Sequence, residues 1–374
     1  MAKLLIAAGV ISERASFNSV PDLAAYILRG TAPGTAGSYQ EVEAARTTSA
    51  GASGDVILCH VRGAYYFMQA GLLLTADGRV LETTALAVEG APHLIARLPG
   101  MQAVPDGLRF DPPANVPRIA RAMVWANLGA TRNYGHFLFD ALTGLFWADA
   151  AGLTLPFPPI APPLAPWQHD LLRHAGLAAA VTEQSAKVIW LDEVIYLSTM
   201  NHYLHRNGDL LGALVARITP PRPACVPAAP PVYFSRRSLT GRILVNEPAL
   251  ETALTQAGVR VLRPERMTVA AQIAAVQGAR GIVGASGAAL ANLCFLARGA
   301  RLTEIRPAPI REPWLDLASL NLGVDHRVVP GPGPLSRTET PLLARLRQIP
   351  RRVTRRSHYA WTTDIAAVLD AALG

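Results

Sequence analysis

From residue 231 onward, short apolar runs alternate with amphipathic stretches. Val232–Ser235, Val259–Leu262, Gly281–Ala285, Leu302–Ile305 and Val324–Val329 are compact apolar runs, mostly bounded by Gly, Pro or charged residues, and read as strands. The stretches between them read as helices. Asn246 is placed to cap one, with Glu247 and Pro248 in its first turn and a stop at Gly258. Thr268 caps a second that ends near Gly278. A third follows the small-residue turn after Ala285 and stops at Gly299, and a fourth precedes Val324. Such β-α-β alternation predicts a parallel, doubly wound sheet. Ligands of these sheets sit beyond the C-terminal strand ends, which gathers Ser235, Arg236, Arg237, Ala285–Ala288 and Glu304 around one crevice.

The first half is less regular. Asp55–His60, Ala64–Met68, Arg121–Trp125, Val188–Leu191 and Val194–Leu197 read as strands. His136–Ala151 and Gln168–Ala175 read as helices closed by Gly152 and Gly176. The opening Met1–Ile11 reads as a first strand rather than a signal peptide. Two Pro-rich stretches interrupt the pattern. Residues 155–166 read as an extended surface segment, neither helix nor central strand. Residues 219–231 read as a domain boundary. The expected division is 1–225, 226–340 and 341–374, the last a basic segment with a helix that packs back on the first domain.

At 374 residues, half of them apolar, the chain has enough material for two full cores. No apolar run reaches the roughly 18 to 20 residues of a membrane span. Cys59, Cys225 and Cys294 are scattered and odd in number, with neither a disulfide framework nor zinc spacing. A reducing cytoplasm follows as the expected compartment. The net charge of +8 comes mostly from arginine and favours an anionic partner. No nucleic-acid-binding signature accompanies it. The run Arg351–Arg356 reads first as a solvated surface and second as a peripheral contact to anionic lipid at the inner membrane face.

Three chemistries suit the turn from Gly284 to Asn292. Dinucleotide binding is one, because Glu304 follows Gly284 at the spacing of a ribose-binding acid, about 20 residues. Only Gly284 and Gly287 are present, however, so the three-glycine fingerprint is incomplete. A serine hydrolase is another, because Gly284-Ala-Ser-Gly-Ala288 approaches a nucleophile elbow and Asp316 and His326 follow in triad order. Its register is shifted, with a Gly directly after Ser286. The third is a nucleotide-sugar site. Arg236 and Arg237 end the preceding strand and Arg242 follows closely; guanidinium groups bind phosphate bidentately, and a helix N-terminus adds N–H donors.

In the first half, Asn133, Tyr134 and His136 cluster before an apolar helix. Asp140 lies one turn after His136 on the same face. An imidazole oriented by a carboxylate suits removal of a proton from an acceptor hydroxyl. Capping by Asn133 and packing of His136 form the structural alternative.

Together these pieces resemble glycosyltransferase family 61. The ordered set is Asn133-Tyr-Gly-His-Phe137, Tyr233-Phe-Ser-Arg-Arg237, Arg242, Asn246-Glu247, the Gly284–Asn292 turn and Thr303-Glu-Ile305, and the likeness covers roughly residues 120–310. The resemblance implies an α/β fold of GT-B-like architecture, two Rossmann-like domains facing a cleft. It implies sugar transfer from a nucleotide-activated donor to a glycan, polysaccharide or lipid-linked glycan acceptor, with inversion, no metal and no cofactor. By position, Arg236 and Arg242 would bind donor phosphate, and Gly287, Ala288 and nearby backbone would cradle the diphosphate. Glu304 would touch the nucleotide's sugar or base, and His136 would face the acceptor. Asn133, Tyr134, Ser235, Arg237, Asn246, Glu247, Gly284, Ser286 and Asn292 complete the donor and substrate set. The family's turn often carries His where Ser286 stands and Gly where Ala289 stands. That departure leaves a non-catalytic nucleotide- or glycan-binding relative open, beside an NAD-dependent oxidoreductase.

Overall fold

The structure is a computed structural model. It describes residues 40–45, 56–68, 70–75, 97–104, 107–126, 130, 132–150, 154–197, 208–219, 229–239, 241–310, 313–335 and 359–374. The readings of Met1–Ile11, the 225/226 boundary, Cys225 and the Arg351–Arg356 run lie outside these residues. The chain divides into two compact units, Met1–Leu214 and Val215–Gly374. Among the described residues no helix is long and apolar enough to cross a membrane.

The first unit contains strands β1 (Gln40–Ala45), β2 (Val56–Phe67), β3 (Leu72–Thr75), β4 (Met101–Val104), β5 (Gly107–Phe110), β6 (Arg118–Val124), β7 (Pro159–Ala161), β8 (Thr182–Glu183) and β9 (Val188–Leu197). Its main sheet runs β1-β2-β9-β6-β7-β8, with β3 also on β2. The β2 strand is antiparallel to β1, β3 and β9, whereas β9, β6, β7 and β8 are mutually parallel. The sheet is therefore mixed, and only the parallel half has the Rossmann-like character expected of both domains. The strands expected at 55–60 and 64–68 merge into β2, and those at 188–191 and 194–197 merge into β9. Paired along their length, the two long strands carry their ladder through the polar interruptions.

The Pro-rich segment differs more from expectation. Its central residues form β7, buried between β6 and β8. Pro158 and Pro159 have no N–H, but the carbonyls still work: Met123 N donates to Pro158 O at 3.0 Å and Trp125 Nε1 to Ile160 O at 3.0 Å. Pro166 then starts α-helix Pro166–His174 at a position where no N–H is needed.

The second unit holds β10 (Val232–Phe234), β11 (Ile243–Leu244), β12 (Arg260–Leu262), β13 (Gly281–Ala285), β14 (Arg301–Pro307), β15 (Asp325–Gly331) and β16 (Ala360–Trp361). Five of them make a parallel sheet in the order β12-β10-β13-β14-β15. Relabelled by sequence within that sheet, the order is 2-1-3-4-5, a doubly wound topology whose direction reverses between β10 and β13. One face packs Tyr233, Val283, Ile305 and Val329 against Leu250 and Leu254 of helix Glu247–Gln256 and Val368 and Ala372 of helix Ile365–Leu373. The last helix packs on the sheet of this unit. Trp361, fully buried, and the parallel pair β11–β16 anchor it here.

Candidate functional site

The strand order reverses between β10 and β13, and Ser235–Arg236 and Ser286–Gly287 emerge at the C-terminal ends of these two strands. Gly287 has extended backbone (φ 166°), and a Cβ placed on it would lie 2.3 Å from Arg236 Nη1 and 3.6 Å from Arg242 Nη2. Two guanidinium groups therefore lie against one glycine. Among the described residues neither makes an ion pair, and Arg236 Nε is buried without a hydrogen-bond partner. Among the described residues Arg236 Nη2 donates to the Gly241 carbonyl, at 3.4 Å. Burial first, and the charge of Arg242 second, push the Arg236 guanidinium down to about 10. Arg242 has left-handed backbone (φ 51°), unusual for a residue with a Cβ. Two partly buried guanidinium groups side by side, with no ion pair among the described residues and only the Glu247 carboxylate acting on Arg236, favour an anionic ligand.

The other residues expected around the donor mostly build this frame. Glu247 is buried; its Oε1 accepts from the Arg236 backbone N–H at 2.6 Å and from Tyr233 Oη at 2.8 Å. Burial raises its carboxyl above the ordinary value. Ser235 Oγ donates to Glu251 at 2.5 Å, and Arg237 Nη1 pairs with the same carboxylate at 3.1 Å. Asn246 makes no side-chain cap bond. Its amide instead exchanges two bonds with the Thr363 backbone, at 2.7 and 3.1 Å. Asn292 is buried and donates to Gln272 and to the Ala289 carbonyl. Gly284 lets Leu290 approach to 2.9 Å of where a Cβ would be. Thr268 caps its helix as expected, accepting from Ala271 N at 3.2 Å.

The helix after the turn is a 3-10 helix, Ala288–Phe295, rather than the expected α-helix. Its bonds are of the i to i+3 kind, as from Leu290 N to Gly287 O at 2.9 Å. The arginines, more than a helix dipole, supply the positive field.

Behind the turn lies a closed charge network. Ser286 Oγ donates to Glu304 Oε1, while Glu304 Oε2 accepts from Arg306 at 2.5 and 3.1 Å and meets His326 Nε2 at 3.1 Å. Asp316 bonds Arg306 at 3.0 Å and His326 Nδ1 at 3.2 Å. Burial pushes the Glu304 carboxyl up, but the bonds from His326, Arg306 and Ser286 outweigh it and hold it below the ordinary value. Strand register explains the grouping: Leu302, Glu304 and Arg306 face the side opposite Ile305, and His326 lies across on β15. Both Glu304 oxygens are thus engaged, which leaves it poorly placed for a nucleotide ribose. The carboxylate also stands where a hydrolase needs the imidazole, so Ser286, His326 and Asp316 do not form a nucleophilic triad.

In the first unit, Tyr134–His136 is α-helical, Phe137–Leu142 π-helical and Thr143–Ala150 α-helical again. Asn133 caps the start, its Oδ1 accepting from Gly135 N at 2.9 Å and His136 N at 3.2 Å. Trp167 packs on Tyr134 and Phe137, with ring centroids at 5.6 and 5.3 Å, and fixes the entry of the helix. His136 Nδ1 lies 3.0 Å from Asp140 Oδ2. The Asp140 side chain is 2% exposed and the His136 side chain 38% exposed, so a buried carboxylate orients a partly exposed ring. π turns recur at functional sites.

Tyr359 and Trp361 escaped sequence reasoning. Tyr359 lies beside the arginine pair, and Trp361 Nε1 donates to the Arg242 carbonyl at 3.3 Å. Their signal was the aromatic-small-aromatic alternation of a short buried strand, obscured by the neighbouring basic run. Among the described residues no group of three His, Cys, Asp or Glu is placed to hold a metal ion. A comparison with curated proteins finds no match. Residues 134–303, spanning the His136 helix, the arginine pair and the Gly284–Asn292 turn, match the family model described as Glycosyltransferase 61.

Proposed function

We propose that the chain is a glycosyltransferase, a hexosyl- or pentosyltransferase with GT-B-like organisation. It moves a sugar from a nucleotide-activated donor to a hydroxyl of a glycan, polysaccharide or lipid-linked glycan, with inversion and without a metal. The observation that carries this is the pair Arg236 and Arg242, without an ion pair among the described residues, against Gly287 at the point where the strand order reverses. The family match over both motif regions supports it.

In this reading His136 Nε2 accepts the proton of the acceptor hydroxyl, with Asp140 holding the ring by Nδ1 and stabilising the imidazolium. The acceptor oxygen forms a bond to the anomeric carbon. The bond from that carbon to the diphosphate oxygen breaks on the opposite face, and its electron pair leaves with the diphosphate. Arg236 and Arg242 meet the charge that develops there. The scattered cysteines support a reducing, cytoplasmic setting.

Thermal shift and calorimetry with UDP and GDP test the reading, followed by donor turnover. Stabilisation by one of them, abolished in Arg236→Met, is expected; no stabilisation of the wild type by either would count against it.

A further inference from the structure

Tyr359 lies beyond the matched segment, yet it is built into the arginine site. Its carbonyl accepts from Ile243 N at 2.8 Å, and Ala360 pairs with Ile243 in the register of β11 and β16. That pairing places the Tyr359 backbone beside Arg242, whose carbonyl Trp361 holds from the same strand. The residue is 8% exposed, and its hydroxyl is buried without a hydrogen-bond partner among the described residues. A buried hydroxyl of this kind is a cost in the empty protein unless a ligand satisfies it. Arg236 Nε, in the same neighbourhood, is likewise buried without a partner among the described residues. The charges of Arg242 and Arg236 act on the phenol and oppose the rise that burial imposes on it. One ligand chemistry answers all these groups: clustered, negatively charged oxygen acceptors.

We propose that Tyr359 Oη is a third donor to the phosphate groups held by Arg236 and Arg242, supplied by the C-terminal segment rather than by the doubly wound sheet. The assignment rests on the diphosphate reading of the site. A phenol donor fits because it adds a directed hydrogen bond without a third positive charge beside two that already repel.

The test compares wild type with Tyr359→Phe and Tyr359→Met in the full chain, using calorimetry with UDP, GDP and inorganic pyrophosphate and melting without ligand. Loss of the hydroxyl is expected to weaken all three ligands about tenfold. The Phe variant, which keeps the ring, should melt at or above the wild-type temperature, since it removes an unsatisfied buried group. Pyrophosphate has no base, so a loss shared by it assigns the contact to phosphate. Unchanged affinity in both variants, or a loss confined to UDP and GDP, overturns the proposal. If the wild type binds none of the three, the diphosphate reading itself falls, a result distinct from failure of the Tyr359 assignment alone.

Discussion

Arg236 Nη1 occupies space that a side chain on residue 287 would need, at 2.3 Å from the position of its Cβ. The backbone at Gly287 is extended, so alanine fits the dihedral angles and only the guanidinium must move. Gly287→Ala should therefore leave stability within about 1 kcal/mol of wild type, because the obstacle is the end of a flexible side chain. Affinity for UDP or GDP should fall at least about tenfold, as the displaced Arg236 loses its alignment. Melting and calorimetry on the same preparation separate the two effects.

Gly331 makes the opposite prediction. A Cβ there would meet the Trp361 ring at 2.7 and 2.8 Å, and that ring is fully buried. It cannot swing aside as an arginine can. Gly331→Ala should cost about 1 to 3 kcal/mol by overpacking. Because Trp361 holds the Arg242 carbonyl, ligand affinity should fall with it. A chemical denaturation curve measures the first effect and calorimetry the second.

His136→Ala should reduce sugar transfer by about 10² to 10⁴ with donor binding intact, the range for losing a general base. Asp140→Asn keeps the shape of the buried side chain but loses its charge, so the same step should slow by a smaller factor. Initial rates at saturating acceptor, beside donor affinity, check both. Equal rates in His136→Ala and wild type would remove the histidine from the chemistry.

Glu304 gives a pH signature. Its carboxyl lies below the ordinary value in the folded protein, so near that range the unfolded chain binds the extra proton. Its stabilising contribution is complete above the unfolded carboxylate value, about 4.3, and is lost as pH falls through the lower folded value. Glu304→Gln should flatten this acid limb. It should also cost about 3 kcal/mol near neutral pH, because Arg306 and His326 lose a buried partner. Melting temperature recorded against pH for both proteins reads both effects.

The parallel sheet was legible because its central strands β10, β13 and β14 are buried on both faces and read as short apolar runs between helix stops. β10 and β12–β15 fall close to the expected runs. The arginine pair was legible for a related reason: in a doubly wound sheet, residues just after a strand end face the ligand crevice. Local rules failed where a distant partner decided the outcome. Asn246 has the composition of a cap, but its amide finds Thr363 from the C-terminal segment. Glu304 has the spacing of a ribose-binding acid, yet β15 and helix Trp314–Leu322 bring His326 and Asp316 into its network. The turn after Ala285 signals a helix, but its run of small residues carries no cue to distinguish 3-10 from α geometry. β7 was hidden because proline content argues against donors, whereas this strand contributes carbonyl acceptors.

The bond from Trp361 to the Arg242 carbonyl spans 119 residues of sequence. A ribosome making this chain therefore releases Arg236 and Arg242 long before it releases the strand whose Trp361 holds the Arg242 carbonyl. The doubly wound sheet can assemble during synthesis, but the backbone around Arg242 gains these bonds only after residues 359–361 have emerged. A chain interrupted anywhere between β15 and β16 would carry every motif of the matched family segment and still lack a finished site.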